Sequence, residues 1–187
     1  MLVGFLLLAF FLAWREQKVR ADTVEARLRA PDMTIELGLL AVSFAGKANQ
    51  DTLVTLGGTI NNPLGPASAV DHWEMDMVFE DSTTIQGDVP LVPDKDLQMP
   101  LGDGRKRTLT PAKYWPAVTA APLQAGAIAS GWIVAGFKGI NKDRAMTSKP
   151  TIVLRFTDAF NKVHSISKPW GGSGSQNIIG LEDLLTR

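Results

Sequence analysis

The sequence predicts an all-β domain, an antiparallel β-sandwich, carried behind an N-terminal helix. Three observations lead there. Trp73, Met75, Met77 and Phe79 alternate with His72, Glu74, Asp76 and Glu80, and only Val78 breaks the polar side; a period of two marks a half-buried strand. The 17 glycines and 11 prolines are spread so that turns separate many short extended runs. No helical runs stand between those strands to act as crossovers, so a parallel sheet has no means of connection.

Residues 1–30 read as an anchor and a stalk. Residues 2–14 are almost wholly apolar, and Trp14 closes the run. A spanning helix needs roughly 20 such residues, so the stretch is either a short anchor or part of a longer span, with Trp14 at the headgroup level. Arg15, Lys18, Arg20, Arg27 and Arg29 follow it, and the positive-inside bias puts that side in the cytoplasm. Two other readings compete. A cleaved signal peptide would use Val19-Arg20-Ala21 as its site, but it lacks a basic start and is charged before the cut. A buried core helix would not be apolar on all sides and then abruptly charged. Residues 15–30 hold neither Gly nor Pro and continue as a solvated helix; Val19, Val24 and Leu28 form too thin a stripe for a coiled coil. Pro31 ends it.

Residues 31–168 hold the β domain. The first strand falls at 33–45, with Ile35, Leu37, Leu39 and Ala41 on one face, and residues 46–50 turn the chain. The next, 51–61, places Val54, Leu56, Gly58 and Ile60 opposite Leu53, Thr55, Gly57 and Thr59. This strand and the one through Trp73–Phe79 are each expected to have a dry side and a wet side. Between them Asn61-Asn62-Pro63-Leu64-Gly65-Pro66 forms a rigid corner. Residues 80–124 are irregular and punctuated by six prolines. Short extended pieces are expected at 83–89 and 105–109, with a helical turn capped by Thr110 and opened by Pro111. A connection this long is expected to hold edge strands and the binding surface. A strand at 127–140 is apolar on both faces, 141–149 reads as a polar loop, and Thr151–Asp158 and 163–167 form a hairpin through Ala159-Phe160-Asn161-Lys162. Residues 169–187 read as a flexible Gly/Ser linker from Pro169 to Ser175, then a short amphipathic segment.

The run Thr55–Pro63 (Thr-Leu-Gly-Gly-Thr-Ile-Asn-Asn-Pro), the pair Gly131-Trp132 and the hairpin Asp158-Ala159-Phe160-Asn161-Lys162 resemble the layout of membrane-anchored immunoglobulin-like accessory domains. In those domains a strand runs into an Asn-Pro corner and a late hairpin carries Asp-x-x-Gly/Asn-Lys. The resemblance covers residues 33–167 and rests on turn chemistry. It implies an immunoglobulin-like β-sandwich without enzymatic activity, and no catalytic residue carries over. The cysteine pair of antibody domains is absent.

Composition narrows the chemistry further. Nineteen basic and nineteen acidic residues cancel, so there is no global field for nucleic acid, and no aromatic-studded basic surface appears. The absence of cysteine removes disulfides, thiolate metal sites and a cysteine nucleophile. His72, Glu74 and Asp76 would share one strand face, the only such His–carboxylate cluster in sequence. Three such ligands are a metal set in principle, but the wet side of a strand explains them equally. His164 would join them only if its strand pairs with that of His72. Arg105-Lys106-Arg107 is a compact basic spot, below the four to eight charges of a lipid-binding cluster. The glycines at 171–174 lack the lysine of a phosphate loop. The expectation is a membrane-tethered binding or scaffolding domain with a protein partner, without cofactor, metal or catalytic residue. Two alternatives stand beside it: an enzyme using His72 with Glu74 and Asp76 as metal ligands or general base, and an exported subunit of an envelope assembly.

Overall fold

The computed structural model describes residues 2–29, 32–45, 50–89, 93–100 and 104–170. The chain opens with helix α1 (Leu2–Arg29), so the apolar run and the charged stalk are one helix of 28 residues. Its polar half pairs its own charges at i,i+4: Arg20 reaches Glu16 at 2.6 Å, and Arg29 reaches Glu25. In its apolar half Leu8, Phe11, Leu12 and Trp14 are more than half exposed, and Phe10 is 74% exposed. Among the described residues no helix is long and apolar enough to cross a membrane.

The rest is mostly antiparallel β-structure. Strands β1 (Thr34–Ala45), β2 (Asp51–Asn62), β3 (Val70–Val78), β4 (Thr84–Gly87), β5 (Leu97–Pro100), β6 (Lys106–Leu109), β7 (Ala127–Phe137), β8 (Thr151–Asp158) and β9 (Val163–Pro169) form three sheets. One has the order β1-β2-β7, a second β4-β3-β8-β9, and β5 pairs with β6 alone. The two larger sheets meet at both flanks. Asp88, just past β4, exchanges both backbone hydrogen bonds with Gly136 of β7 at 2.8 Å. On the other side β1 lies against β9, and Lys168 Nζ donates to the Leu37 carbonyl at 3.2 Å.

The register explains the core. Val54, Leu56 and Ile60 of β2 share a face with Ala135, Ile133 and Ala129 of β7, and all are buried. They meet Met75, Met77, Leu154 and Phe156 of the other sheet in a single apolar cluster. The sheets come close at Gly87: a Cβ there would fall 2.8 Å from the Phe137 ring.

The strand expected through Trp73–Phe79 buries Met75, Met77 and Phe79 on one side; on the other His72 and Glu80 are exposed, Glu74 and Val78 half-buried, and Asp76 buried. The other organising strand differs. Leu53 and Thr55, on the face of β2 expected to be wet, are buried as fully as Val54. A cover on that face explains this. Leu109 and Thr110, at the end of β6, lie with Leu39, Gly57 and Trp132 around one cleft on that face. Leu97, Met99, Leu109 and Tyr114 are buried beneath the same cover. The irregular segment thus yields β4, β5 and β6, together with a 3-10 turn (Pro111–Lys113) and a short helix α2 (Trp115–Val118). Pro111 opens the turn as expected, but the Thr110 side chain makes no capping hydrogen bond.

Two further expectations are corrected. Residues 141–149, read as a polar loop, contain helix α3 (Lys142–Ser148), capped by the Asn141 side chain accepting from the Arg144 N–H at 2.8 Å. Pro169 and Trp170, read as the start of a flexible linker, close the sheet: Pro169 pairs with Thr151, and the buried Trp170 donates its N–H to the Pro150 carbonyl at 3.0 Å. The Gly/Ser run and the amphipathic segment beyond lie outside the described residues.

Candidate functional site

The His72–Glu74–Asp76 row stands where the strand period puts it, on the outer face of β3. The same period turns Met75 and Met77 inward. What the sequence does not reveal is the side chain opposite. Glu74 pairs in register with Arg155 of β8. Arg155 Nε donates to Glu74 Oε2 at 3.1 Å, and its Nη2 donates to Asp76 Oδ2. His72 Nε2 lies 3.2 Å from Glu74 Oε1 at the exposed end. The guanidinium holds the Glu74 carboxyl below the usual carboxylate range, and the two carboxylates push Arg155 still higher. The arrangement is an ion network in which Arg155 engages one oxygen of each carboxylate. Among the described residues no three His, Asp or Glu side chains are placed to hold a metal.

His164 does not join this row. Strand β8 separates β3 from β9, and His164 points to the inner face, stacked on Phe156 with ring centroids 4.8 Å apart. Its Nε2 lies 3.2 Å from Asp158 Oδ2, and its buried Nδ1 has no hydrogen-bond partner. Asp158 also accepts the Phe160 and Lys162 N–H groups at 2.9 and 3.0 Å, which ties the hairpin turn to the pair. The pair is shut away from solvent: Asp158 is 0% and His164 4% exposed. Sequence reasoning passed over this contact, although Asp158 and His164 flank one hairpin.

The basic triplet divides. Arg105 precedes β6, Lys106 and Arg107 lie on it, and all three are exposed. Arg107 lines the cleft on the outer face of the β1-β2-β7 sheet, whose volume is about 120 Å³. Gly57 contributes no side chain to its floor, while Leu39, Leu109 and Trp132 form apolar walls and Thr108, Ser130 and Lys113 polar ones. The walls are fixed. Trp132 Nε1 donates to the Thr110 carbonyl at 3.0 Å, Tyr114 packs edge-on against its ring at 5.0 Å, and Gln98 Nε2 donates to Thr108 Oγ1 at 3.2 Å. Lys113, Ser130 and the glycine floor were not singled out in the sequence. Their one signal is the run of small residues Gly57-Gly58 and Ser130-Gly131, which strands otherwise disfavour.

Fold and site together define an all-β domain with a helical N-terminal extension and a small, basic-rimmed cleft. No protein-family model and no curated protein matches the chain.

Proposed function

We propose that this chain is a membrane-tethered, non-catalytic binding domain, its two larger sheets forming the layers of an immunoglobulin-like sandwich. The observation that carries the tether is the stretch 8–14 of α1, whose apolar side chains are exposed in place of packing on the β domain. Thirteen apolar residues make roughly 20 Å of helix against a hydrocarbon core of about 30 Å. Residues 2–14 by themselves therefore reach through one leaflet. Lys18 Nζ lies 5.6 Å from the Trp14 ring centroid, a pairing suited to the headgroup level. The basic residues that follow favour the cytoplasmic side.

A binding role is supported by the cleft, and a non-catalytic one by the engagement of Glu74 and Asp76 with Arg155. The sandwich reading is supported by the close approach at Gly87 and by the shared apolar core. Flotation with phospholipid vesicles tests the tether. The full chain is expected to float and a chain lacking residues 2–14 to stay in the soluble fraction; a full chain that remains soluble refutes it.

A further inference from the structure

We infer that the cleft beside Arg107 receives an acidic side chain of a protein partner. This rests on the binding-domain reading and gives that reading its contact. Size is the first argument. Pockets for small-molecule ligands usually run from about 300 to 1,000 Å³, whereas this one is about 120 Å³. It has room for a side chain and little more.

Charge is the second argument. Arg107 and Lys113 are the ionisable residues of the lining, and among the described residues no Asp or Glu accompanies them, in a chain whose formal net charge is zero. Both side chains are exposed, and neither forms an ion pair with a described residue. The anion such a rim would attract comes from outside. The apolar walls decide its kind. The half-buried Leu39 offers its methyl groups to methylene groups, which a glutamate side chain places directly behind its carboxylate, while Leu109 and Trp132 are themselves buried and close the cleft. A bare phosphate has no apolar part to bury there. A lipid surface is usually held by four to eight clustered cations, and this cleft offers two. The rigid setting of Trp132 and Thr108 means that little ordering opposes entry.

Peptides displayed from a random library and selected on the full chain in lipid nanodiscs test this. The expected result is a set of binders that share an acidic residue. Replacing that residue by its amide, or making Arg107→Gln or Lys113→Gln in the protein, should weaken each binder roughly tenfold. Binding should shift the backbone amide resonances of Gly57 and Ser130. Thermal melting of both exposed-site variants should match the parent, which separates lost binding from lost folding. Binders that ignore their acid, or that bind both variants equally well, overturn the inference. So does displacement by inorganic phosphate or by anionic vesicles in preference to acidic peptide. Vesicle flotation of the two variants keeps this result apart from the tether: loss of flotation in Arg107→Gln or Lys113→Gln would assign the cations to lipid and overturn the inference, while residues 2–14 would be judged by their own deletion.

Discussion

Gly58 sits opposite Gly131 in the β2–β7 register, and both positions exclude a side chain for reasons that lie on other elements. A Cβ at Gly58 would fall 1.9 Å from the Glu36 carbonyl oxygen, where β1 bulges between Leu37 and Leu39. One at Gly131 would fall 2.5 Å from the Lys113 carbonyl. Backbone cannot swing away as a side-chain tip can. Gly58→Ala should therefore cost about 1–3 kcal/mol by overpacking, read as a lower urea midpoint. Gly38→Ala, with nothing within 4 Å of its Cβ, should leave that midpoint almost unchanged. The sequence shows two glycines in an alternating strand; it does not show which backbone comes close, because that neighbour is 22 residues away in one case and 18 in the other. Tyr114, the chain's single tyrosine, gives a second test. Burial pushes its hydroxyl above the ordinary phenol range, against a smaller opposing effect of its hydrogen bond with the Val134 backbone. The fold thus favours the protonated form. That contribution is complete below about pH 10, the unfolded value, and is lost as the pH rises through it toward the higher folded value. Tyr114→Phe should flatten the alkaline limb of a stability-against-pH profile; an unchanged limb would refute the assignment.

Among elements, most strands were legible and the covers only in part: β6 and the turn opened by Pro111 were expected, β5 and helix α2 were not. β3, β8 and β9 announce themselves because a period of two is a local property of the chain. Helix α2 does not. Its four residues are set by what Trp115 fills: the space between Gly131 of one sheet and Trp73 of the other, where the two indoles stack with centroids 5.6 Å apart and planes within 6°. Trp115→Ala should open a cavity there and cost about 3–5 kcal/mol. Loss of the near-ultraviolet circular dichroism of the stacked pair should accompany it, with Trp115→Phe intermediate. An Ala variant as stable as the parent would show that α2 is ornament to the core. Helix α3 had a readable start in Asn141 and Asp143. It lacked an apolar stripe, since only Ala145 of its residues is fully buried, and so its composition resembled a loop. The candidate site was legible in the same uneven way. One strand supplied the row at His72, Glu74 and Asp76, but its neutralising Arg155 arrives from 79 to 81 residues away. Arg107 was visible as charge, whereas the cleft it lines is assembled from four separate stretches of chain.

For the molecule as a whole, the exposure of residues 8–14 of α1 predicts that helix and β domain are energetically separable. Removing residues 1–30 should leave the thermal melting of the β domain unchanged, because Lys162 keeps its ion pair with Asp32 and the core is built from Met33 onward. A melting temperature lowered by the deletion would mean that the helix contributes to the fold after all. The joining of the two larger sheets at both flanks has a further consequence. Copies held on a surface, as the proposed tether would hold them, would crowd one another, and unpaired strand edges are where neighbouring copies polymerise into fibrils. Here the Asp88–Gly136 exchange occupies one flank and the Lys168 ammonium covers a carbonyl on the other, so dense arrays of this chain are protected, at those two points, from zipping together.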